Sequence, residues 1–405
     1  MMNYLIHAKK IVTVSSLGTI IDGAIVVSDE KIVEIGKWEI LQKKFPSVEV
    51  VDCLDKVITP SLVDCHTHLL EFAPSSLFPV TPETHFLAGR SLLFNALSSG
   101  ITALGEQICG HPFCDFSIGD YQKAVHDCPL DISFATTSIS IGFEKLAHFT
   151  SVTGSRNVDQ KELVHPLIVR EIARISDYPG ENIFINATPA NFTEKEVPHA
   201  GEIIYSLEEL KEIVEFFHQL GKKIGCHVAG KEGIQMALEA GFDVLHHAHG
   251  ITDEQLNFAA SRKVEIVATP MGGTHLIPNS PEDILLAFDK GISVSISTDA
   301  YLPPHSNATW LPFNDVSLKG PDVLMLISHL PMQLLKRQGY DENQILALLT
   351  ANPAKVLGKE NCFGRLEPGL DANFLVADGV PGLEITDVEQ IRKVFFRGKK
   401  VIDRG

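Results

Sequence analysis

Eight apolar runs of strand length alternate with amphipathic helical windows between residues 59 and 359, and short strands broken by turns fill both ends of the chain. These two observations predict an α/β protein: a (β/α)8 TIM barrel with a small β-sandwich domain formed from both chain termini. Length agrees. The chain has 405 residues, about 2.7 domains at roughly 150 residues each, yet α/β barrels run to 250 residues or more as one unit. The expected division is residues 1–58 plus 360–405 for the sandwich and 59–359 for the barrel.

In order, IVTV, GAIVV and KIVEIG are β-branched segments separated by Gly18, Asp22-Gly23 and Asp29, which supply turn chemistry. From Thr59 the candidate barrel strands are LVDCHTH, ITALGE, DISFATT, NIFINA, KIGCHV, DVLHH, VEIVAT and ISVSIST. Between them lie windows such as LEELKEIVEFFHQLG, whose apolar positions recur at three and four residues and which Gly221 should stop. After about residue 360, ANFLVAD and VFFRGKKVI return to strand and turn. Residues 189–205 interrupt the alternation between a strand and a helix, which on a barrel is a βα loop on the active face.

Composition excludes several classes. Hydrophobic residues at 44% and charged residues at 21% rule out a disordered or collagen-like chain. A net charge of −17 disfavours nucleic acid, whose phosphates need clustered Lys and Arg, and gives no reason to expect an anionic membrane partner. No run of about 18 apolar residues exists. The N-terminus lacks an apolar region followed by a small-residue cleavage site. Seven scattered cysteines in a chain too long to need staples fit a reducing compartment, so a cytoplasmic protein is expected. Its partner should be a small-molecule substrate, and pairing of exposed barrel helices into a homo-oligomer stays open.

The 17 histidines carry the chemical signal. Asp64-Cys65-His66-Thr67-His68 ends an apolar strand, and strand alternation puts His66 and His68 on one face about 6.5–7 Å apart at Cα. Two neutral imidazoles so placed can share a divalent ion, although His-x-His alone is also what two unrelated surface histidines would look like. Three further strand ends decide between these readings. Lys223-Ile-Gly-Cys-His227, Phe242-Asp-Val-Leu-His-His247 and Ile292-Ser-Val-Ser-Ile-Ser-Thr-Asp299 all place a ligand type where barrel enzymes place their chemistry. A buried Asp at a barrel mouth needs a partner, and a metal ion would supply one. Adjacent His246 should point to the opposite face of its strand and pack there.

In these motifs the sequence resembles the amidohydrolase superfamily of metal-dependent hydrolases. The resemblance runs through Thr59-Pro-Ser-Leu-Val-Asp-Cys-His-Thr-His68, the Gly100-Ile-Thr-Ala stretch, and His227, His247 and Asp299. Thr350-Ala-Asn-Pro-Ala-Lys-Val-Leu-Gly358 and Gly364-Arg-Leu-Glu-Pro-Gly-Leu-Asp-Ala-Asn373 extend it toward the C-terminal strands. It implies His66, His68 and His227 as metal ligands. Asp299 would be a ligand that also handles the proton of the attacking water, and His247 would bind metal or hydrogen-bond the substrate oxygen. The implied reaction is hydrolysis of a C–N bond in an amide, cyclic amide or amino-heterocycle. His111, His249 and His305 are candidates to line the substrate pocket.

The sequence departs from the family in two places. Two-metal members bridge their ions with a carboxylated Lys or a Glu on the fourth strand; here Phe184 or Asn186 falls at that place, and Glu194, Lys195 and Glu196 lie in the following loop. An anionic bridge is what holds two cations about 3.5–4 Å apart. The expected cofactor is therefore one divalent metal, zinc ahead of iron or manganese. After His227 the chain reads Val-Ala-Gly-Lys-Glu rather than His-x-x-Glu, which argues against the purine and cytosine deaminases. The alternatives are a two-metal dipeptidase or cyclic-imide hydrolase completed by a loop residue such as Glu194, and, more distantly, a catalytically silent barrel serving as a scaffold or regulatory subunit. Cys109-Gly-His-Pro-Phe-Cys114 lacks the second ligand pair of a structural zinc site. Gly272-Gly273 lies outside any strand–Gly-x-Gly-x-x-Gly–helix context, so no nucleotide cofactor is expected.

Overall fold

The computed structural model describes residues 3–108, 116–137, 164–180, 183–186 and 201–405. Four strands open the chain: β1 (Asn3–Val12), β2 (Thr19–Ser28), β3 (Lys31–Lys37) and β4 (Glu49–Pro60). Eight short parallel strands follow, all at the places expected from their apolar runs. They are β5 (Leu62–Thr67), β6 (Ile101–Ile108), β7 (Asp131–Thr136), β8 (Ile183–Phe184), β9 (Gly225–Ala229), β10 (Val244–His249), β11 (Glu265–Ala268) and β12 (Val294–Ile296). The chain ends on β13 (Phe374–Ala377), β14 (Ile391–Phe396) and β15 (Lys399–Asp403).

Strands β5 to β12 are the staves of a (β/α)8 barrel. The pairings β5–β6–β7 and β8–β9–β10–β11–β12 are parallel throughout. Every residue of β5, β6, β9 and β10 is buried, as strands covered on both faces must be. The seam between first and last staves closes at their C-terminal ends: the Asp299 N–H donates to the His66 carbonyl at 3.1 Å and the His68 N–H to the Ala300 carbonyl at 3.0 Å. Helices start where a side chain can satisfy the first-turn donors. Ser206 opens helix Leu207–Gln219 by accepting from the Glu209 N–H, and the Glu209 carboxylate takes the Ser206 N–H in return. That helix stops at Gly221, whose φ of 68° is a left-handed conformation that glycine adopts without strain.

The small domain is one seven-stranded sheet in the order β15-β14-β13-β4-β1-β2-β3. β4 joins the two chain ends, pairing parallel with β1 and antiparallel with β13. The sheet doubles back on itself. The Ile32 N–H donates to the Leu370 carbonyl and the Tyr4 hydroxyl to the Gly398 carbonyl, each at 2.9 Å, enclosing Ile6, Ile25, Ile58, Phe374 and Phe395. Because β4 runs on to Pro60 and β5 begins at Leu62, this domain sets the entry of the first barrel strand. Among the described residues no helix is long and apolar enough to cross a membrane.

Candidate metal centre

The C-terminal ends of four staves converge on one buried cluster. β5 supplies His66 and leads into His68, β9 supplies His227, β10 supplies His247, and the chain just beyond β12 supplies Asp299. The Asp299 Oδ1 lies 3.3 Å from His66 Nε2 and 3.4 Å from His68 Nε2, and Oδ2 lies 3.9 Å from His247 Nδ1. The His247 ring stands 4.9 Å from that of His66 and 4.5 Å from that of His227, centroid to centroid. Ligand atoms of His66, His247 and Asp299 all lie within 4.8 Å of one another.

Burial by itself would raise the Asp299 carboxyl, but the imidazoles of His66, His68 and His247 outweigh it and hold the acid far below its ordinary range. Several imidazoles around one carboxylate, with water largely excluded, are a donor set that suits a divalent transition metal such as zinc. Gly273 closes this cluster. A Cβ there would stand 2.3 Å from Asp299 Oδ2 and 2.6 Å from His247 Cε1, and its φ of 107° is itself a glycine conformation.

Backbone geometry turns more histidines inward than strand alternation allows. His247 and Ala248 have φ of 69° and 47°, left-handed values that break the β repeat, and the register with β9 shifts there. His246, expected on the opposite face, pairs in register with His227 and Val267 and so keeps the inward face of its strand, its Nδ1 2.6 Å from His66 Nδ1; the left-handed turn that begins at His247 brings the next ring in as well. One ring donates and the other accepts, so His246 orients His66 with Nε2 toward Asp299.

Three supports are invisible as motifs. Glu106 on β6, fully buried, accepts from the Thr67 hydroxyl and from the Leu69 and Leu70 N–H groups at 3.0 Å each, clasping the chain on both sides of His68. Burial raises its carboxyl despite these donors. Asp64 accepts from the Thr298 hydroxyl at 2.5 Å and from the Thr298 N–H at 3.3 Å, tying the first stave to the last one residue before Asp299. Burial lifts the Asp64 carboxyl to about 6, the Thr298 donors opposing it. Thr269, just beyond β11, places its hydroxyl 2.8 Å from His247 Nδ1. The only sequence sign of Glu106 and Asp64 was an acidic residue inside an otherwise apolar strand.

The remaining candidates fall in different places. His249 is fully buried with both ring nitrogens engaged, Nδ1 with Thr274 at 2.7 Å and Nε2 with Thr269 at 3.2 Å. Burial, reinforced by its histidine neighbours, holds it well below the ordinary imidazole range. His305 accepts the Asn307 N–H at its Nδ1 (3.2 Å), an arrangement that shapes its own loop. His111, Cys109, Cys114, Glu194, Lys195 and Glu196 lie outside the described residues. At the fourth stave, the Phe184 ring stacks on His227 at 4.3 Å and 23°. Asn186 accepts the Ala229 N–H at 2.9 Å and donates to the Gly201 carbonyl at 3.0 Å.

The sequence profile of the amidohydrolase family matches residues 57–401. The chain belongs to the amidohydrolase family. As an amidohydrolase it is a hydrolase of C–N bonds in small molecules, from a metal-dependent family, and its His-His-Asp cluster could hold a metal ion. It is similar to the imidazolonepropionase of Fusobacterium nucleatum, 23% identical over 394 residues that cover 88% of this chain and 85% of the relative. The imidazolonepropionase of Shouchella clausii is 24% identical over 446 residues, covering 99% and 93%. Among solved structures, A. niger ochratoxinase superposes with a TM-score of 0.73 at 18% identity, over 100% of this chain and 96% of that one. That amidohydrolase likeness extends the fold assignment to both the barrel and the terminal β domain.

Proposed function

We propose that this amidohydrolase opens a small cyclic amide, an imidazolone-like ring, with one divalent metal. His66, His68, His227 and Asp299 would hold the ion, with His247 beside them as a further ligand or as a contact to the substrate oxygen. One observation carries the one-metal reading: where a second ion would need a bridging anion, the fourth stave presents Phe184 stacked on His227, and Asn186 is spent on backbone groups. A divalent ion in this set supplies Lewis acidity, polarising a carbonyl and lowering the pKa of water to about 7. Asp299 is held ionised by its imidazole neighbours, so it can take the proton of the attacking water and pass it to the leaving nitrogen. The leaving nitrogen must be protonated before the C–N bond breaks, and the same carboxyl, once protonated, is the nearest acid. The cyclic-amide reading rests further on the two relatives, whose name specifies an imidazolone bearing a propionate.

The test is stoichiometry together with turnover. Zinc-reconstituted protein should hold one ion per chain and open the ring of imidazolone propionate or a related cyclic amide, followed by loss of ring absorbance. His66→Ala and His68→Ala should lose both the ion and the reaction. Two tightly held ions per chain, or cleavage of dipeptides with no action on cyclic amides, would overturn the proposal in favour of a two-metal dipeptidase.

A further inference from the structure

Helix Pro82–Ser98 follows the first stave and is apolar on two faces. Leu92, Leu93, Ala96 and Leu97 are buried against the barrel. On the far side Leu87 is 68% exposed and Phe94 53%. Seven positions apart, they stand in line two turns from each other. Ser91 lies between them and Glu83 one turn before them, both exposed. Single apolar side chains scattered over a surface are ordinary, whereas a Leu and a Phe on one stripe form a patch that marks a contact with another molecule. The chain has a net charge of −17, so most faces of one copy repel another. This stripe holds one carboxylate, Glu83, and one guanidinium, Arg90.

We propose that helix Pro82–Ser98 pairs with the same helix of a second copy of this chain, antiparallel across a two-fold axis beside Arg90 and Ser91. The register follows from the stripe itself. Under a two-fold, residue i meets j wherever j meets i, and one axis serves every pair that shares a midpoint. Leu87 and Phe94 share the midpoint of Arg90 and Ser91, and so do Glu83 and Ser98. Leu87 therefore lies on Phe94 of the second copy, twice over. Each Glu83, whose neighbour in its own chain is the Thr81 hydroxyl, reaches the far end of the other helix. There Arg404 donates to the Ser98 carbonyl at 2.9 Å and hydroxyl at 2.7 Å, with Glu389 3.7 Å from its Nε. Arg90, paired with Asp127, meets the Ser91 hydroxyl, which gives its proton to the Ala88 carbonyl at 2.6 Å and keeps lone pairs to accept with. A parallel pairing would instead set Glu83 against Glu83. In the antiparallel one the two Glu83 positions are about 22 Å apart at 1.5 Å per residue, well beyond the screening length of about 8 Å. The helix is about 25 Å long and about 10 Å wide, so it covers far less than the roughly 800 Å² per partner of a stable complex. The expected dimer is weak and depends on concentration.

Sedimentation velocity of the full chain over a concentration series should show a monomer–dimer equilibrium. Leu87→Lys and Phe94→Glu should each weaken it about 10–100-fold, because the two-fold strips one apolar contact from two places at once. Both side chains are exposed, so each variant should keep the wild-type far-ultraviolet circular dichroism. Mixing the two single variants should restore association. One contact then joins the introduced ammonium to the introduced carboxylate, and the other keeps Leu87 on Phe94. That rescue is specific to an antiparallel register in which Leu87 meets Phe94. A wild-type chain that stays monomeric throughout the series would overturn the proposal. So would a dimer that both variants leave intact, or a mixture that associates no better than its components.

Discussion

Replacing Glu106 by glutamine removes a charge from a carboxylate that no solvent reaches and leaves its shape intact. Oε1 accepts from the Thr67 hydroxyl and the Leu69 N–H, and Oε2 from the Leu70 N–H. An amide can keep its oxygen on only one side, so its NH2 must face either the Leu70 N–H or the Leu69 N–H, donor against donor. Hydrogen bonds to a charged group contribute about 1.5–3 kcal/mol each, neutral ones about 0.5–1.5, and a buried donor left unmet costs about 1–3 kcal/mol. Against that loss stands the relief of no longer burying a charge, visible in the raised Glu106 carboxyl. The balance is a local loosening of about 1–3 kcal/mol, a 5–150-fold change in an opening equilibrium. Amide hydrogen exchange on the peptide covering Leu69 and Leu70, measured with chelator present so that metal binding does not enter, reads this directly. Glu106→Gln should accelerate exchange there by that factor, and Glu106→Ala by more, since the Leu69 and Leu70 N–H groups are then both stranded while the Thr67 hydroxyl keeps only the Gly105 carbonyl at 3.2 Å. Exchange indistinguishable from wild type in both variants would refute the claim that Glu106 holds the chain around His68.

Two other outcomes follow from the same geometry. Gly273→Ala should abolish zinc retention while leaving the far-ultraviolet circular dichroism unchanged, because the new Cβ would stand 2.3 Å from Asp299 Oδ2; a variant that holds zinc like wild type would show that the loop yields there. His85 donates Nε2–H to the Leu70 carbonyl at 2.8 Å, and burial depresses its folded pKa below the ordinary 6.5. A depressed histidine pKa means that the unfolded chain binds the proton more readily. Stability is therefore present above pH 6.5 and declines as pH falls below it toward the folded value. Thermal unfolding midpoints of His85→Gln, which has no titrating ring, should fall less steeply than wild type between pH 6.5 and 5, and parallel curves would contradict this.

Much of the architecture was legible from the residues. The eight strands stand where apolar runs alternate with amphipathic windows, because periodicity is a local consequence of which face is buried. His66, His68, His227, His247 and Asp299 could be picked out because each ends a strand, and parallel staves deliver their C-terminal ends to one face of the barrel. His246 could not be placed in this way. Alternation counted from His247 assigns it outward, but His247 itself breaks the repeat with a left-handed backbone, so His246 keeps the inward face and meets His66. His249 looked like pocket lining from its position past the strand, yet both its nitrogens serve threonines of the neighbouring loop.

The division between the two sources of information has a physical basis. Sequence alone determined which residues are ligand types and which periodicity surrounds them, since both are properties of short segments. Tertiary structure alone decided which carboxylates clasp the strand ends that carry the ligand types. Asp64 and Thr298 are 234 positions apart, and Glu106 meets Leu69 across 37. Hydrogen bonds at such separations depend on the closure of the whole barrel, and no local pattern in the chain encodes them.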